Sequence, residues 1–197
     1  MNFKGMEKVA DLIVINLLFV LCSLPVVTIG ASATAMHYCL RRWREGEGKI
    51  AGDFFKSFRL NLRQATILWV IFLILAAILA ANFVLIRNWT GPVYQTVMVM
   101  LMVVSAVLLM WVSVVFPFLA RFDNTTGKIG KNALLIAMVS PAGSVIAAAL
   151  NVLPVILAAV LPGIFLIGSV LWLGLLCSVS GFVVQLLFAP VFDRIGK

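Results

Sequence analysis

Acidic side chains and histidine are nearly missing from this chain, which holds seven Asp and Glu and one histidine, His37, among 197 residues. A proton relay through a bilayer needs a row of ionisable groups, and so few acids, most of them near loops, do not supply one. The lone His37 excludes a histidine-built metal centre, and neighbouring Cys39 does not complete one, so no metal is expected. Cysteine is scarce too. Cys22, Cys39 and Cys177 fall in or beside apolar runs without CxxC spacing, which excludes a disulfide framework and leaves them as small buried hydrophobes. The one glycine–lysine cluster, Gly127-Lys128-Ile129-Gly130-Lys131-Asn132, lacks the spacing and hydroxyl residue of a phosphate loop, which excludes ATP hydrolysis. HExxH, GxSxG and paired carboxylates on one face are absent as well, so the chain reads as a non-enzyme without a cofactor. No internal repeat or low-complexity segment occurs.

What fills the chain is apolar: 63% of it is hydrophobic and 11% charged. Ala65 to Ile86 contains no charged side chain. About twenty such residues cross a hydrocarbon core roughly 30 Å thick, and the lack of water there forces the backbone into a helix. Val93–Leu119, Asn132–Leu150 and Pro162–Pro190 are further apolar runs, with Val155–Leu161 between the last two. Residues 1–197 are therefore expected to form a single integral membrane domain. Its fold class is all-α, a polytopic membrane helix bundle of about five to six transmembrane segments with one interfacial amphipathic helix. The first run, Val9 to Leu40, is broken by Pro25 and Gly30. It reads as one kinked span or as a span followed by a shorter returning helix, Ala31 to Trp43. It leads on without a strong cleavage site, so it reads as retained rather than as a signal peptide.

The net charge of +8 is unevenly placed. Seven of the fifteen basic residues lie between Arg41 and Arg63, and Arg121 to Lys131 holds three more. Basic loops beside spans mark the cytoplasmic side and attract anionic lipids. That reading puts both basic loops and the C-terminus in the cytoplasm and excludes nucleic acid, for which no soluble basic domain exists. Trp89 and Tyr94 suit the opposite interface. Within the first loop, Glu45-Gly46-Glu47-Gly48 reads as a turn and Asp53 as the N-cap of a short helix, Phe54 to Arg63. Phe54, Phe55, Phe58 and Leu62 share an arc with Lys56, Arg59 and Arg63 beside it, which describes a lipid-facing or partner-docking helix.

Polar groups inside spans are the remaining candidates. Asn16 and Gln185 read either as hydrogen-bonding glue between helices or as part of a pathway. A second cluster, Pro117, Arg121, Asp123 and Asn132, marks a corner that is structural or couples to a partner. Pro25, Pro141 and Pro162-Gly163 are breaks of the kind found in transporter helices.

Three segments together carry a resemblance. They are Cys22-Ser23-Leu24-Pro25-Val26-Val27-Thr28-Ile29-Gly30-Ala31, Asp53-Phe54-Phe55-Lys56-Ser57-Phe58 running to Gln64-Ala65-Thr66, and Phe116-Pro117-Phe118-Leu119-Ala120-Arg121-Phe122-Asp123 followed by Lys131-Asn132-Ala133. Their order and spacing resemble the YesL family of bacterial membrane proteins. The resemblance implies a place beside carbohydrate uptake systems of the ABC type, as a non-catalytic accessory protein in assembly or regulation that contacts ABC permease subunits. The permease's own acidic-Ala-Ala docking loop is absent from both basic loops. The other expectation is a small transporter or channel subunit that forms a pathway as a homo-oligomer.

Overall fold

The computed structural model describes residues 3–46, 49–160 and 175–195, and the described part is helical. Helix α1 spans Phe3–Ser23. It stops where Pro25 turns the preceding residue away from helical geometry. A 3₁₀ turn, Val26–Thr28, follows, and the Thr28 hydroxyl donates to the carbonyls of Cys22 (2.7 Å) and Pro25 (2.8 Å). Helix α2, Ile29–Glu45, returns from there and ends on Gly46, whose φ of 77° suits a residue without a side chain. Trp43 Nε1 donates to Asp11 Oδ2 at 3.2 Å, so α1 and α2 form an antiparallel hairpin. Of the two readings of Val9–Leu40, the returning helix holds, and it is longer than expected at both ends.

Helix α3, Ile50–Ile86, is 37 residues long, about 55 Å at the α-helical rise. Here the sequence reading needs a correction. Phe54 to Arg63 is not a separate short helix; it is the first part of the same rod that carries Ala65–Ile86. From Asp53 to Ile86 there is neither proline nor glycine, so nothing interrupts the hydrogen-bond ladder. Asp53 is not the N-cap either. Lys49 holds that position, and Asp53 sits in the first turn, where a carboxylate favours the positive helix end and pairs with Arg42 at 3.5 Å.

Helix α4, Pro92–Leu119, begins after Gly91, with Pro92 in the first turn, where a missing N–H costs nothing. It ends two residues past Pro117. Helix α5, Thr126–Val139, starts earlier than the Asn132 run and takes Lys128 and Lys131 onto a helix. A bend of 108° at Ser140 separates it from the following apolar helix, and the break falls at Pro141 as the sequence predicts. That helix, α6, is Pro141–Val160 and carries Pro154 inside it, so the expected connection around Asn151 and Pro154 is helical. Helix α7, Cys177–Ile195, carries Pro190 in its interior. The first part of the Pro162–Pro190 run, including the Pro162-Gly163 break, lies outside the described residues, as do Glu47 and Gly48 of the expected turn.

Among the described residues three helices are long and apolar enough to cross a membrane: α3, α4 and α7. A fourth is gained if α5 with α6 counts as one bent span. Three or four crossings among the described residues stand beside the five to six expected from sequence, with residues 161–174 lying outside the described part. Every 18-residue stretch of α1 contains Glu7, Lys8 and Asp11, and α2 is only 17 residues long with Arg41, Arg42 and Arg44 near its end.

Packing divides the rod α3 in two. Helix α2 runs antiparallel along its first half, from the Arg42–Asp53 pair to Gly30, where an added Cβ would stand 2.7 Å from the Ala65 carbonyl. The hairpin tip reaches only to Trp69, whose Nε1 donates to the Val26 carbonyl at 2.8 Å. Beyond that level α3 is nearly bare: of its most apolar 18 residues, 6% are buried. Ile71, Ile74 and Ile78 point outward. Outward apolar side chains on a helix of this length are stable in lipid and not in water. The chain is therefore a membrane protein built from a helical bundle.

Candidate functional site

The described residues that could bind something gather where α2, the first half of α3 and the α4–α5 corner meet. These elements enclose an open cleft of about 620 Å³. Tyr38 and Arg41 come from α2, Lys56 and Arg63 from α3, and Arg121 and Asp123 from the corner. The corner exists because Pro117 cannot donate to the Ser113 carbonyl and α4 ends soon afterwards. Its position is fixed by Gln64 Nε2, which donates to the Asn124 carbonyl at 2.9 Å.

The four cations of the cleft differ in their surroundings. Arg121 is committed: its Nη2 pairs with Asp193 Oδ1 near the end of α7, and its guanidinium lies 5.8 Å from the ring centres of both Phe122 and Phe192. Arg41 sits over the Tyr38 ring at 5.5 Å. Its Nε is buried without a hydrogen-bond partner, a state that costs about 1–3 kcal/mol for an ordinary donor. Among the described residues Lys56 and Arg63 have no carboxylate partner, and both are exposed. Asp123 is exposed at the rim, and the partner of Arg121 is Asp193, not Asp123.

The structure redistributes the aromatic arc of α3. Phe54 is fully buried among Ile15, Ala35, Met36 and Leu40, and it stacks on half-buried Phe58 with ring centres 6.4 Å apart. These two hold α3 to the hairpin rather than facing lipid or a partner. Phe55, 43% exposed, is the phenylalanine of the three that points outward, with Leu60 and Leu62. Arg59 is exposed but does not line the cleft.

Asn16 and Gln185 are both buried. Asn16 Oδ1 accepts from the Ser178 backbone N–H at 2.8 Å, and Gln185 Nε2 donates to the His37 carbonyl at 3.0 Å. Each ties α7 to the hairpin, as interhelical glue does. Sequence reasoning missed a third such tie: Asn151 Nδ2 donates to Ser113 Oγ at 2.9 Å, joining α6 to α4. Nor did it assign Trp111, whose Nε1 donates to the Gly130 carbonyl at 2.9 Å and seats α5 on α4. Asn132 is not with the Arg121 cluster. It lies in a second groove of about 550 Å³ with Phe118, Ser140 and Arg194, between α5 and the end of α7.

Residues 12–83, from α1 to near the end of α3, match a family model described as a protein of unknown function, DUF624. The chain is 28% identical over 168 residues to the uncharacterized protein YesL of Bacillus subtilis (strain 168), an alignment covering 83% of this chain and 79% of that protein. No solved structure matches it. The chain is thus YesL-like over most of its length.

Proposed function

We propose that this is a non-catalytic accessory protein of the bacterial cell membrane, working beside an ABC-type carbohydrate uptake system in its assembly or regulation. The observation that carries the reading is the outward face of the first half of α3. Phe55 and Leu62, about 20° apart at 100° per residue, stand exposed there beside Arg59, Arg63 and Lys56. An apolar strip flanked by cations on a rigid rod suits a permease helix at the membrane surface. The same cations would hold anionic lipids against the cytoplasmic leaflet, with the basic loops and the C-terminus inside the cell. A five- to six-segment path belongs to the same reading, since α1 carries an outward apolar row at Val9, Ile13, Leu17 and Leu21. The transporter alternative has less support, because Asn16 and Gln185 are engaged between helices.

Co-purification from native membranes tests the proposal. ABC permease subunits should accompany the protein, and Phe55→Glu should weaken that contact without changing the protein's own yield. Phe55 is the informative site, because Phe54 and Phe58 belong to the packed interior. A protein that runs as a homo-oligomer free of permease, with sugar-dependent growth unchanged after gene deletion, sinks the idea.

A further inference from the structure

We propose that the cleft between α2, the first half of α3 and the α4–α5 corner is a binding site for a phosphate group attached to a polyol. It shares Lys56 and Arg63 with the lipid contact proposed above and rests on that part of the reading for its lipid outcome, but not on a permease partner.

Charge is the first support. Arg41, Lys56 and Arg63 converge on one cleft of about 620 Å³, and none of them has a carboxylate partner among the described residues. Like charges gathered in a concave space raise the local potential and draw in an anion. Arg121 adds little net charge, because Asp193 neutralises it; it serves as a wall.

Geometry is the second. Stacking on Tyr38 holds the Arg41 guanidinium in place, and its buried Nε lacks an acceptor. With Nε shut off from the cleft, the Nη groups of this fixed planar fork are the donors offered to phosphate oxygens. Lys56 and Arg63 lie seven residues apart on α3 and so on nearly the same side of that helix. They line the cleft from α3, and Arg41 lines it from α2.

The third support narrows the ligand. Asp123 lines the same cleft, is exposed, and has no ion pair among the described residues. A carboxylate repels a bare anion but accepts hydrogen bonds from hydroxyl groups, so the phosphate should carry hydroxylated carbons beside it. A sugar phosphate and the headgroup of phosphatidylglycerol share that chemistry.

The test uses the full chain in dodecyl maltoside and native mass spectrometry. The probes are glucose 6-phosphate and phosphatidylglycerol, with glucose and phosphatidylcholine for comparison. Saturable binding of either polyol phosphate is expected, stronger than binding of its comparator. It should be at least about tenfold weaker in the double variant Lys56→Gln/Arg63→Gln, as loss of charge-assisted bonds implies. Preference for glucose 6-phosphate marks a soluble ligand, and preference for phosphatidylglycerol a lipid. Arg87→Gln, on the exposed turn between α3 and α4, should leave binding unchanged. If the double variant does not purify as a single species, Arg63→Gln alone is read against Arg87→Gln in the same way. The proposal is overturned if neither polyol phosphate binds, if the comparators bind equally well, if the cleft variants keep full affinity, or if Arg87→Gln weakens binding as much.

Discussion

Replacing Gly30 by alanine should loosen the junction of three helices, and the structure sets the size of the effect. A Cβ built there would lie 2.7 Å from the Ala65 carbonyl oxygen, 2.8 Å from Phe116 Cε1 and 2.9 Å from Trp69 Cβ. The first of these is helix backbone at a fully buried residue. It cannot swing aside as a side-chain end does, so α2 must move off α3. Overpacking of this kind costs about 1–3 kcal/mol, and the better helix propensity of alanine returns at most about 1 kcal/mol. Three contacts under 3.0 Å, one of them backbone, put the overpacking cost in the upper part of its range, about 2–3 kcal/mol. The net loss is therefore about 1–2 kcal/mol, which for a chain of this length lowers Tm by roughly 2–8 °C. Two other glycines calibrate the measurement. Gly52 meets nothing nearer than Lys49 Cβ at 3.9 Å, and Gly181 meets the flexible ends of Met36 (2.8 Å) and Leu40 (3.0 Å). Thermal unfolding of the three variants in one detergent should therefore rank Gly52→Ala at or above the parent, Gly181→Ala slightly below it and Gly30→Ala lowest. A Gly30→Ala protein that is monodisperse and melts with or above the parent would refute the packing of α2 on α3.

Gln185→Leu removes one hydrogen bond to the His37 carbonyl, so it should cost only about 0.6 kcal/mol and shift Tm by less than about 3 °C; a much larger drop would give Gln185 a role beyond glue. A double-mutant cycle on Arg121→Gln and Asp193→Asn should return a coupling below about 1 kcal/mol, because Asp193 is largely exposed; stronger coupling would mean the pair is shielded by lipid or a partner. Single cysteines at Lys49 and Trp89 should react with impermeant reagents from opposite sides of the membrane, Lys49 from inside. Reaction of both from the same side would contradict α3 as a crossing helix.

What the sequence made legible follows from how local each signal is. A proline removes a donor and restricts the residue before it, so breaks at Pro25 and at Pro141, where the 108° bend falls, were readable. That the first is a hairpin and not a kink was not, and Pro117, Pro154 and Pro190 stand inside helices. The Phe54–Arg63 segment shows the limit. Its amphipathic pattern was real, but pattern alone does not tell which arc faces lipid and which faces a neighbouring helix. Phe54 and Phe58 turn out to face the hairpin and Phe55 the outside. Periodicity did contain part of the cleft: Lys56 and Arg63 are seven apart and share a side, whereas Arg59, about 60° round the helix from Lys56 at 100° per residue, does not line it. Arg41 and Arg121 join them only through tertiary packing, across intervals of sequence that no local rule connects.

The polar residues of the bundle bear directly on whether it conducts anything. Asn16, Gln185 and Asn151 come from different helices, and each bonds to a helix other than its own. A pathway for a polar solute needs such groups to converge on a shared lumen, with donors or acceptors left for the passing ligand. Instead they act as ties: α7 is fastened to α1 and α2, and α6 to α4. Arg41, Lys56 and Arg63, which have no carboxylate partner among the described residues, line a cleft beside the first half of α3, away from the bare apolar stretch beyond Trp69. Among the described residues this arrangement supports the proposed accessory reading more than a polar path through the bundle.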